Sequence, residues 1–317
     1  MKSLDAIATP QGIIAAIAID QRKSLRRMIA AAAAVPETQI PDLRLAEFKE
    51  SVCQFLSPHA SAILIDPEFG SAALDRRAPD AGLLLTYEAD GFDNPRPHRM
   101  LALLPGFSAY RLRDLGAEGV KILLSWSPDE DPAANHRKRL LIERIGEECA
   151  GAEIPFLLEP VVYDPAGGDL RGPEFARRKP ALVRDTIKEF SRPVYKVDVL
   201  KVEFPVILPH VGSVYTRDQA LDAFRAIDEV AGCPYIYLSA GVSLDEFTAS
   251  LALAAEASAG YSGVLCGRAA WQDAVAVYAR DGRAALDAWL AGQGVRNIER
   301  ILDHLKEASP WWERQRA

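Results

Sequence analysis

The sequence predicts an α/β chain that closes into a (β/α)8 TIM barrel, as one domain over residues 1–317 with extra C-terminal helices. Eight short apolar segments follow one another, and most are followed by a longer amphipathic segment. Neither a linker nor a change in composition interrupts the series, which favours a closed parallel barrel. A doubly wound sheet is the alternative, because the first three units are unevenly spaced. No G-x-G-x-x-G or Walker A sequence supports that alternative.

The predicted strands are short and apolar, and several are rich in β-branched residues, as is typical of buried parallel strands. In chain order they are Gly12–Ile19, Ser61–Ile65, Gly82–Thr86, Gly119–Ser125, Pro155–Glu159, Val197–Val206, Tyr235–Ser239 and Gly263–Cys266.

The predicted helices have apolar residues at helical spacing or a recognisable start. Thr216 to Gln219 and Ser243 to Glu246 have the capping-box pattern. Pro105-Gly106 can shift the start of the second helix, and the alanine run 30–34 is helix or loop. The helices are expected at about 43–56, 101–115, 132–149, 174–190, 216–230 and 243–257, with two or three more over 270–317.

Composition excludes several classes of protein. The net charge of -7 and the lack of a basic stripe with aromatics argue against a nucleic-acid partner. No apolar run is long enough to span a membrane, and the run Gly12–Ile19 is too short for one and lacks a signal-peptide cleavage site. The four cysteines form no C-x-x-C pair and are expected to be buried thiols of a cytoplasmic protein.

The sixth predicted strand carries Lys201 and Glu203, which share one face and lie roughly 7 Å apart along the strand. Pro205 ends the pairing just beyond them. An edge strand whose lysine points to water is the simpler interpretation. The fourth strand, however, carries a second lysine, Lys121. An unpaired ammonium is costly to bury, so such a lysine tends to lose its proton or to be balanced by acids.

Catalytic groups of a barrel come from the C-terminal ends of its strands. A single acid at such a position is commonly a helix cap or half of a salt bridge. The predicted strand ends supply Asp20, Asp66, Lys121, Glu159, Lys201, Glu203, Ser239 and Arg268. Two lysines among several carboxylates suit Schiff-base chemistry, in which a neutral amine attacks a carbonyl.

The ends of the last two strands indicate a phosphate site. The residues concerned are Ser239, Gly241, Gly267 and Arg268. The two glycines let backbone N–H groups approach an anion, and Arg268 supplies a fixed positive charge. Glycines that only form tight turns are the alternative. The five histidines lie in separate segments without ligand spacing, so no metal site is expected.

Six segments together resemble the class I tagatose-1,6-bisphosphate aldolase family. The resemblance runs in order from about Gly12 to Trp271. The segments are Asp20-Gln21-Arg22, Asp66-Pro67-Glu68-Phe69-Gly70, Val120-Lys121-Ile122-Leu123-Leu124, Asp198-Val199-Leu200-Lys201-Val202-Glu203, Leu238-Ser239-Ala240-Gly241-Val242 and Cys266-Gly267-Arg268-Ala269.

The resemblance implies a metal-free, cofactor-free barrel enzyme that cleaves a ketohexose 1-phosphate, with Lys201 as the Schiff-base lysine and Glu159 as the acid–base residue. The resemblance also places Lys121, a third catalytic residue, in the substrate site with Asp20 and Gln21. We expect Glu203, on the same strand face as Lys201, to bind the sugar-phosphate substrate as well. Ser239, Gly241, Gly267 and Arg268 are expected to hold its phosphate. We also expect a homo-oligomer.

One departure from this family concerns the substrate. Glu159-Pro160-Val161-Val162, together with Ser57-Pro58 and the segment Ala60–Leu64, resembles the related 6-deoxy-6-sulfofructose-1-phosphate aldolases. The dihydroxyacetone phosphate half of the substrate is common to both families. A pyridoxal-phosphate enzyme and a sugar-phosphate sensor are further alternatives.

Overall fold

Eight parallel strands form a closed barrel in the computed structural model, which describes residues 2–89, 91–92 and 94–314. Each strand pairs with the next, and pairing of β1 with β8 closes the sheet, so the barrel prediction is confirmed and the doubly wound alternative is wrong. Both ends of the predicted 1–317 domain lie outside the described residues. The strands are β1 Ile14–Ile19, β2 Ala62–Ile65, β3 Gly82–Thr86, β4 Gly119–Trp126, β5 Phe156–Val162, β6 Val199–Val202, β7 Tyr235–Leu238 and β8 Gly263–Cys266.

Closure of the barrel requires a glycine at the start of β8. Gly263 has a φ of +132°, and a Cβ placed there would lie 1.9 Å from the carbonyl oxygen of Ile14. The two strands pair through these residues. Any side chain at position 263 would therefore separate the strands that complete the barrel.

Helices follow the strands, and further helices come after β8, in the C-terminal part of the chain. They are α1 Lys23–Ala33, α2 Asp42–Leu56, α3 Ser71–Leu74, α4 Ala109–Asp114, α5 Pro132–Gly151, α6 Pro173–Phe190, α7 Arg217–Asp228, α8 Leu244–Glu256, α9 Arg268–Trp271, α10 Ala274–Asp281, α11 Arg283–Trp289 and α12 Val295–Asp303. A π-helical turn, Leu290–Gly294, joins α11 to α12. Within the described ranges, no helix is both long and apolar enough to cross a membrane.

The helix predicted over residues 101–115 is only half right, because α4 begins at Ala109. Gly106 has a φ of +80°, which a right-handed helix cannot include. Ser108 then caps the helix, since its side chain accepts a hydrogen bond from the backbone N–H of Arg111. Leu103, inside the predicted helix, instead forms an antiparallel bridge with Glu88.

The sixth strand is also shorter than predicted. Only Val199–Val202 pairs with its neighbours, and Glu203 already lies beyond the strand. The predicted alternation of faces is nevertheless confirmed. Val199 packs in the apolar cluster inside the barrel, whereas Leu200 and Val202 pack in the cluster between strands and helices.

Two predicted helix starts differ in detail. Thr216 and Gln219 form the complete capping box, with both reciprocal hydrogen bonds present. Ser243 accepts a hydrogen bond from the backbone N–H of Glu246, but the Glu246 carboxylate pairs with Arg171 at 2.7 Å. The alanine run is helical as far as Ala33, where α1 ends.

Candidate active site

The polar residues of the cavity follow from the two-residue repeat of the strands. Inside the barrel, Leu157, Val199 and Ala18 belong to one apolar cluster. Two residues after each of these, in the same order, lie Glu159, Lys201 and Asp20. Their side chains line the cavity, which opens at the C-terminal ends of the strands. The apolar layer thus forms the floor of a polar site, at the end of the barrel where such sites occur.

The carboxylate of Glu159 bridges two lysines. Its Oε1 lies 2.9 Å from Lys201 Nζ, and its Oε2 lies 2.7 Å from Lys121 Nζ. Strands β5 and β6 pair Leu157 with Val199, so the same register brings Glu159 beside Lys201. All three residues are at least nine-tenths buried. In this low-dielectric setting a bridging carboxylate can exchange protons with a group held between the lysines.

Lys121 is surrounded by three carboxylates. Besides Glu159, its Nζ contacts Asp20 Oδ2 at 2.9 Å and Glu88 Oε1 at 2.8 Å. Burial alone would lower the pKa of Lys121, but the charges of Asp20, Glu159 and Glu88 raise it well above its usual value. Lys121 is therefore a fixed cation, which suits it to hold negative charge and does not suit it to act as a neutral nucleophile.

This environment shifts the pKa values of Asp20 and Glu88 in opposite directions. Burial pushes the pKa of Asp20 up, but Lys121 and Lys201 outweigh it and hold that pKa below its usual value. For Glu88, burial dominates over Lys121 and Arg22 and raises the pKa. Asp20 is thus the ionised partner of Lys121, and Glu88 is the carboxyl that more readily keeps a proton.

Sequence reasoning missed Glu88. It lies two residues after β3 and is 1% exposed, and its Oε2 is buried without a hydrogen-bond partner among the described residues. The strand-end rule applied to the third predicted strand would have found it. The third predicted strand ends at Thr86, two residues before Glu88.

Glu203 lines the cavity as predicted, but it is engaged by protein groups. Its Oε1 pairs with Lys179 Nζ at 3.0 Å, and its Oε2 accepts a hydrogen bond of 2.8 Å from the backbone N–H of Val162. Lys179 comes from α6, so no strand-end pattern predicts its place in the site. This pair forms a second, separate charged wall beside Lys201.

The loops after β7 and β8 bring the predicted phosphate residues together. Ser239, Gly267 and Arg268 line the cavity, whereas Gly241 lies behind Arg268 and is not part of the lining. Gly241 has a φ of +76°, and a Cβ there would come within 2.6 Å of the Arg268 guanidinium carbon. The glycine therefore leaves room for the guanidinium. Among the described residues, that guanidinium has neither a hydrogen-bond partner nor a salt-bridge partner.

Gln21 lies in the cavity as predicted, and its Oε1 is buried without a hydrogen-bond partner within the described part of the chain. A hydroxyl donor of a ligand would satisfy this oxygen. Asp66, the other acid expected at a strand end, does not line the cavity. It forms a fully buried ion pair with Lys49 of α2 instead.

The cavity has a volume of about 570 Å³. Its charged lining, among the described residues, contains more basic than acidic side chains, which favours an anionic ligand. These residues are Arg22, Lys23, Arg26, Lys121, Arg171, Lys179, Lys201 and Arg268, with Asp20, Glu68, Glu88, Glu159 and Glu203. Residues 2–89, 91–92 and 94–314 contain no group of three or more His, Cys, Asp or Glu arranged to hold a metal ion.

Known proteins are similar to this chain over nearly its whole length. The chain is 42% identical to tagatose 1,6-diphosphate aldolase 2 of Enterococcus faecalis, over 98% of this chain and 94% of the relative. It is 42% identical to tagatose 1,6-diphosphate aldolase of Listeria monocytogenes serotype 4b, over 98% and 92%. It is 43% identical to tagatose 1,6-diphosphate aldolase 2 of Streptococcus pyogenes serotype M1, over 99% and 97%.

A solved structure shares the fold. Fructose-bisphosphate aldolase from Plasmodium falciparum, in complex with TRAP and a small molecule inhibitor, superposes with a TM-score of 0.66 over 94% of this chain and 92% of that one. Its sequence is 12% identical, so the likeness concerns the fold. The model of the DeoC/LacD family of aldolases matches residues 14–273, which span all eight strands. The chain belongs to the DeoC/LacD family of aldolases.

Proposed function

We propose that the chain is a class I, Schiff-base aldolase that reversibly cleaves tagatose 1,6-bisphosphate to dihydroxyacetone phosphate and glyceraldehyde 3-phosphate. The bridging of Lys201 and Lys121 by the Glu159 carboxylate carries this proposal. An amine nucleophile, a carboxylate at hydrogen-bonding distance and a fixed cation are the groups that imine-based cleavage requires.

In this mechanism Lys201 is the nucleophile. Its neutral Nζ adds to the C2 carbonyl of the substrate, and loss of water from the adduct gives a protonated imine. Glu159 removes the proton of the C4 hydroxyl as the C3–C4 bond breaks. The bonding electrons move into the imine to form an enamine, and the aldehyde leaves. Glu159 then returns a proton to C3, and water releases dihydroxyacetone phosphate.

Charge and hydrogen bonding position the substrate around these two groups. Lys121 holds developing negative charge on the C4 oxygen, because its own pKa keeps it protonated. Asp20 and Gln21 bind substrate hydroxyls, and Glu203 contacts the substrate from the separate wall that it forms with Lys179. Arg268, with Ser239 and Gly267, holds the C1 phosphate, and Gly241 contributes indirectly by leaving room for the guanidinium. The guanidinium has no partner in the part of the chain that the structure describes, and Gly241 leaves space beside it; both observations support this assignment.

The names of the relatives favour a bisphosphate over 6-deoxy-6-sulfofructose 1-phosphate as substrate. The test is cleavage of tagatose 1,6-bisphosphate, fructose 1,6-bisphosphate and the sulfofructose phosphate by the purified protein, measured beside borohydride trapping with dihydroxyacetone phosphate. We expect one trapped adduct on the peptide that contains Lys201. Full cleavage without an adduct on any lysine contradicts the Schiff-base mechanism, and an adduct with sulfofructose phosphate as the preferred substrate contradicts only the substrate assignment.

The organisation of the chain is part of the proposal. We infer that residues 1–317 act as one aldolase domain, because the C-terminal helices pack on the barrel: Asn297 of α12 donates a hydrogen bond of 2.8 Å to the carbonyl of Ala270 in α9. A homo-oligomer and a cytoplasmic location stay predictions, and analytical ultracentrifugation of the purified protein tests the first.

A further inference from the structure

The turn from β1 into α1 is fixed by a lysine that does not reach the cavity. Lys49 Nζ donates hydrogen bonds of 2.7 Å to the carbonyl of Ile19 and 2.8 Å to the carbonyl of Gln21. These two carbonyls flank Asp20, whose carboxylate contacts Lys121. One buried cation thus holds the backbone on both sides of an active-site acid.

Lys49 is itself held in place. It belongs to α2, is 0% exposed and forms an ion pair with Asp66, which is also 0% exposed. The other oxygen of Asp66 accepts a hydrogen bond of 2.8 Å from the backbone N–H of Phe69. The three donor positions of the ammonium are therefore directed at two carbonyls of the turn and at one carboxylate.

We propose that Lys49 is a positioning residue of the aldolase reaction: it fixes the Ile19 and Gln21 carbonyls and thereby aligns Asp20 with Lys121. The inference rests on the proposed function, because the group that it aligns belongs to that site. Lys49 touches no substrate and acts through the backbone of the turn.

A role confined to fold stability explains less of this arrangement. Buried ion pairs contribute little net stability and can often be replaced by apolar residues without loss. Here the ammonium uses two of its three donors on carbonyls that adjoin Asp20. The indole of Trp271 adds a third buried donor to the same stretch, with a hydrogen bond of 2.9 Å to the carbonyl of Ala18. Buried side-chain donors thus hold three carbonyls at the end of β1 and in the turn that follows it.

The test separates alignment of Asp20 from formation of the imine. Lys49→Met alone leaves Asp66 unpaired in the interior, so the paired variant Lys49→Met/Asp66→Asn keeps the experiment decisive if the single variant does not fold. We expect kcat/KM for cleavage to fall by roughly 10–100-fold, since small displacements of catalytic groups have effects of this size. Borohydride trapping with dihydroxyacetone phosphate should stay within about twofold, because it needs only Lys201 and the phosphate residues.

A double-mutant cycle with Asp20→Asn identifies the residue through which Lys49 acts. In the Asp20→Asn background, the Lys49 substitution should lower kcat/KM by a much smaller factor than in the native chain, because the carboxylate that Lys49 aligns is already gone. Lys138→Met is the matched control. Lys138 is also 0% exposed and donates to the carbonyl of Ser125 at 2.8 Å, yet it does not line the cavity.

Three results would overturn the inference. The first is a folded Lys49 variant whose cleavage stays within about twofold of native, and the second is an equal loss of cleavage and trapping. The third is a double variant whose loss of kcat/KM equals the product of the losses caused by the Lys49 and Asp20 substitutions alone. If the native protein forms no adduct at all, the proposed function fails, whereas an adduct in the native protein with any of those three results removes only the role of Lys49.

Discussion

Glu159 of β5 and Lys201 of β6 lie side by side, with 2.9 Å between Oε1 and Nζ. Neighbouring parallel strands in this register place the two side chains on the interior face at the same height. The contact joins the proposed proton-transfer group to the proposed nucleophile without an intervening residue. The first two predictions concern these two side chains.

Replacing Lys201 by arginine should abolish both the borohydride adduct and cleavage. Arginine keeps a positive charge beside Glu159, but its guanidinium does not deprotonate and cannot attack a carbonyl. Peptide mass analysis after reduction measures the adduct. An adduct that moves to Lys121 would keep the reaction class and exchange the roles of the two lysines.

Glu159→Gln retains the shape of the side chain and removes its proton-transfer capacity. General acid–base catalysis typically contributes 10²–10⁴-fold, so we expect kcat to fall by roughly that factor while the adduct on Lys201 still forms. Single-turnover cleavage and trapping measure the two steps separately. A fall of less than about threefold would shift the acid–base role to Glu203 or Asp20.

Neutral substitutions of Glu88 and Asp20 should shift the Tm in opposite directions at about pH 8. The pKa of Glu88 is raised in the folded protein, so its contribution is fully present below its ordinary pKa of 4.5 and is lost as pH rises through the folded pKa. Glu88→Gln removes this titration. Its Tm should exceed that of the native protein at about pH 8, and the difference should shrink towards pH 4.5.

Asp20→Asn is the matched comparison for Glu88→Gln. The pKa of Asp20 is lowered by folding, so its stabilising contribution is present above its ordinary value of 3.8 and is lost as pH falls through the folded pKa. The Tm of Asp20→Asn should therefore lie below that of the native protein at about pH 8. Shifts of the same sign for both variants would contradict the assigned directions.

Gly241→Ala should weaken binding of the substrate phosphate. The new methyl group would come within 2.6 Å of the Arg268 guanidinium carbon and displace it. Hydrogen bonds to charged groups contribute about 1.5–3 kcal/mol, so KM should rise by roughly 10–100-fold. Gly106→Ala is the control, because its φ of +80° imposes similar backbone strain with no atom within 4 Å of the added carbon. Equal effects of the two substitutions would remove Arg268 from the phosphate site.

Cleavage should persist after exhaustive treatment with EDTA. In the proposed mechanism a protonated imine on Lys201 accepts the electrons of the breaking bond, so no metal ion is needed to polarise the ketone. The rate of tagatose 1,6-bisphosphate cleavage before and after chelation measures this. Activity that disappears with EDTA and returns with zinc would contradict the mechanism.

The sequence alone predicted the order of the eight strands and, together with the family resemblance, nine residues that line the cavity. Side chains alternate along a strand, and the C-terminal ends of all strands meet at one end of a barrel, so Lys121, Glu159 and Lys201 were predicted to converge. The half-wrong helix over 101–115 shows the limit of the pattern, since apolar spacing continued through Gly106, where the backbone cannot remain helical.

The contacts among these groups depend on how the chain packs in three dimensions. Strand register brought Glu159 between the two lysines, and the balance between burial and the nearby cations shifted the pKa values of Asp20 and Glu88 in opposite directions. Helix packing contributed Lys179 to the cavity and directed Lys49 at the β1–α1 turn. Such contacts join residues far apart in the chain, and neither the spacing of residues nor their local propensity encodes the distance between them.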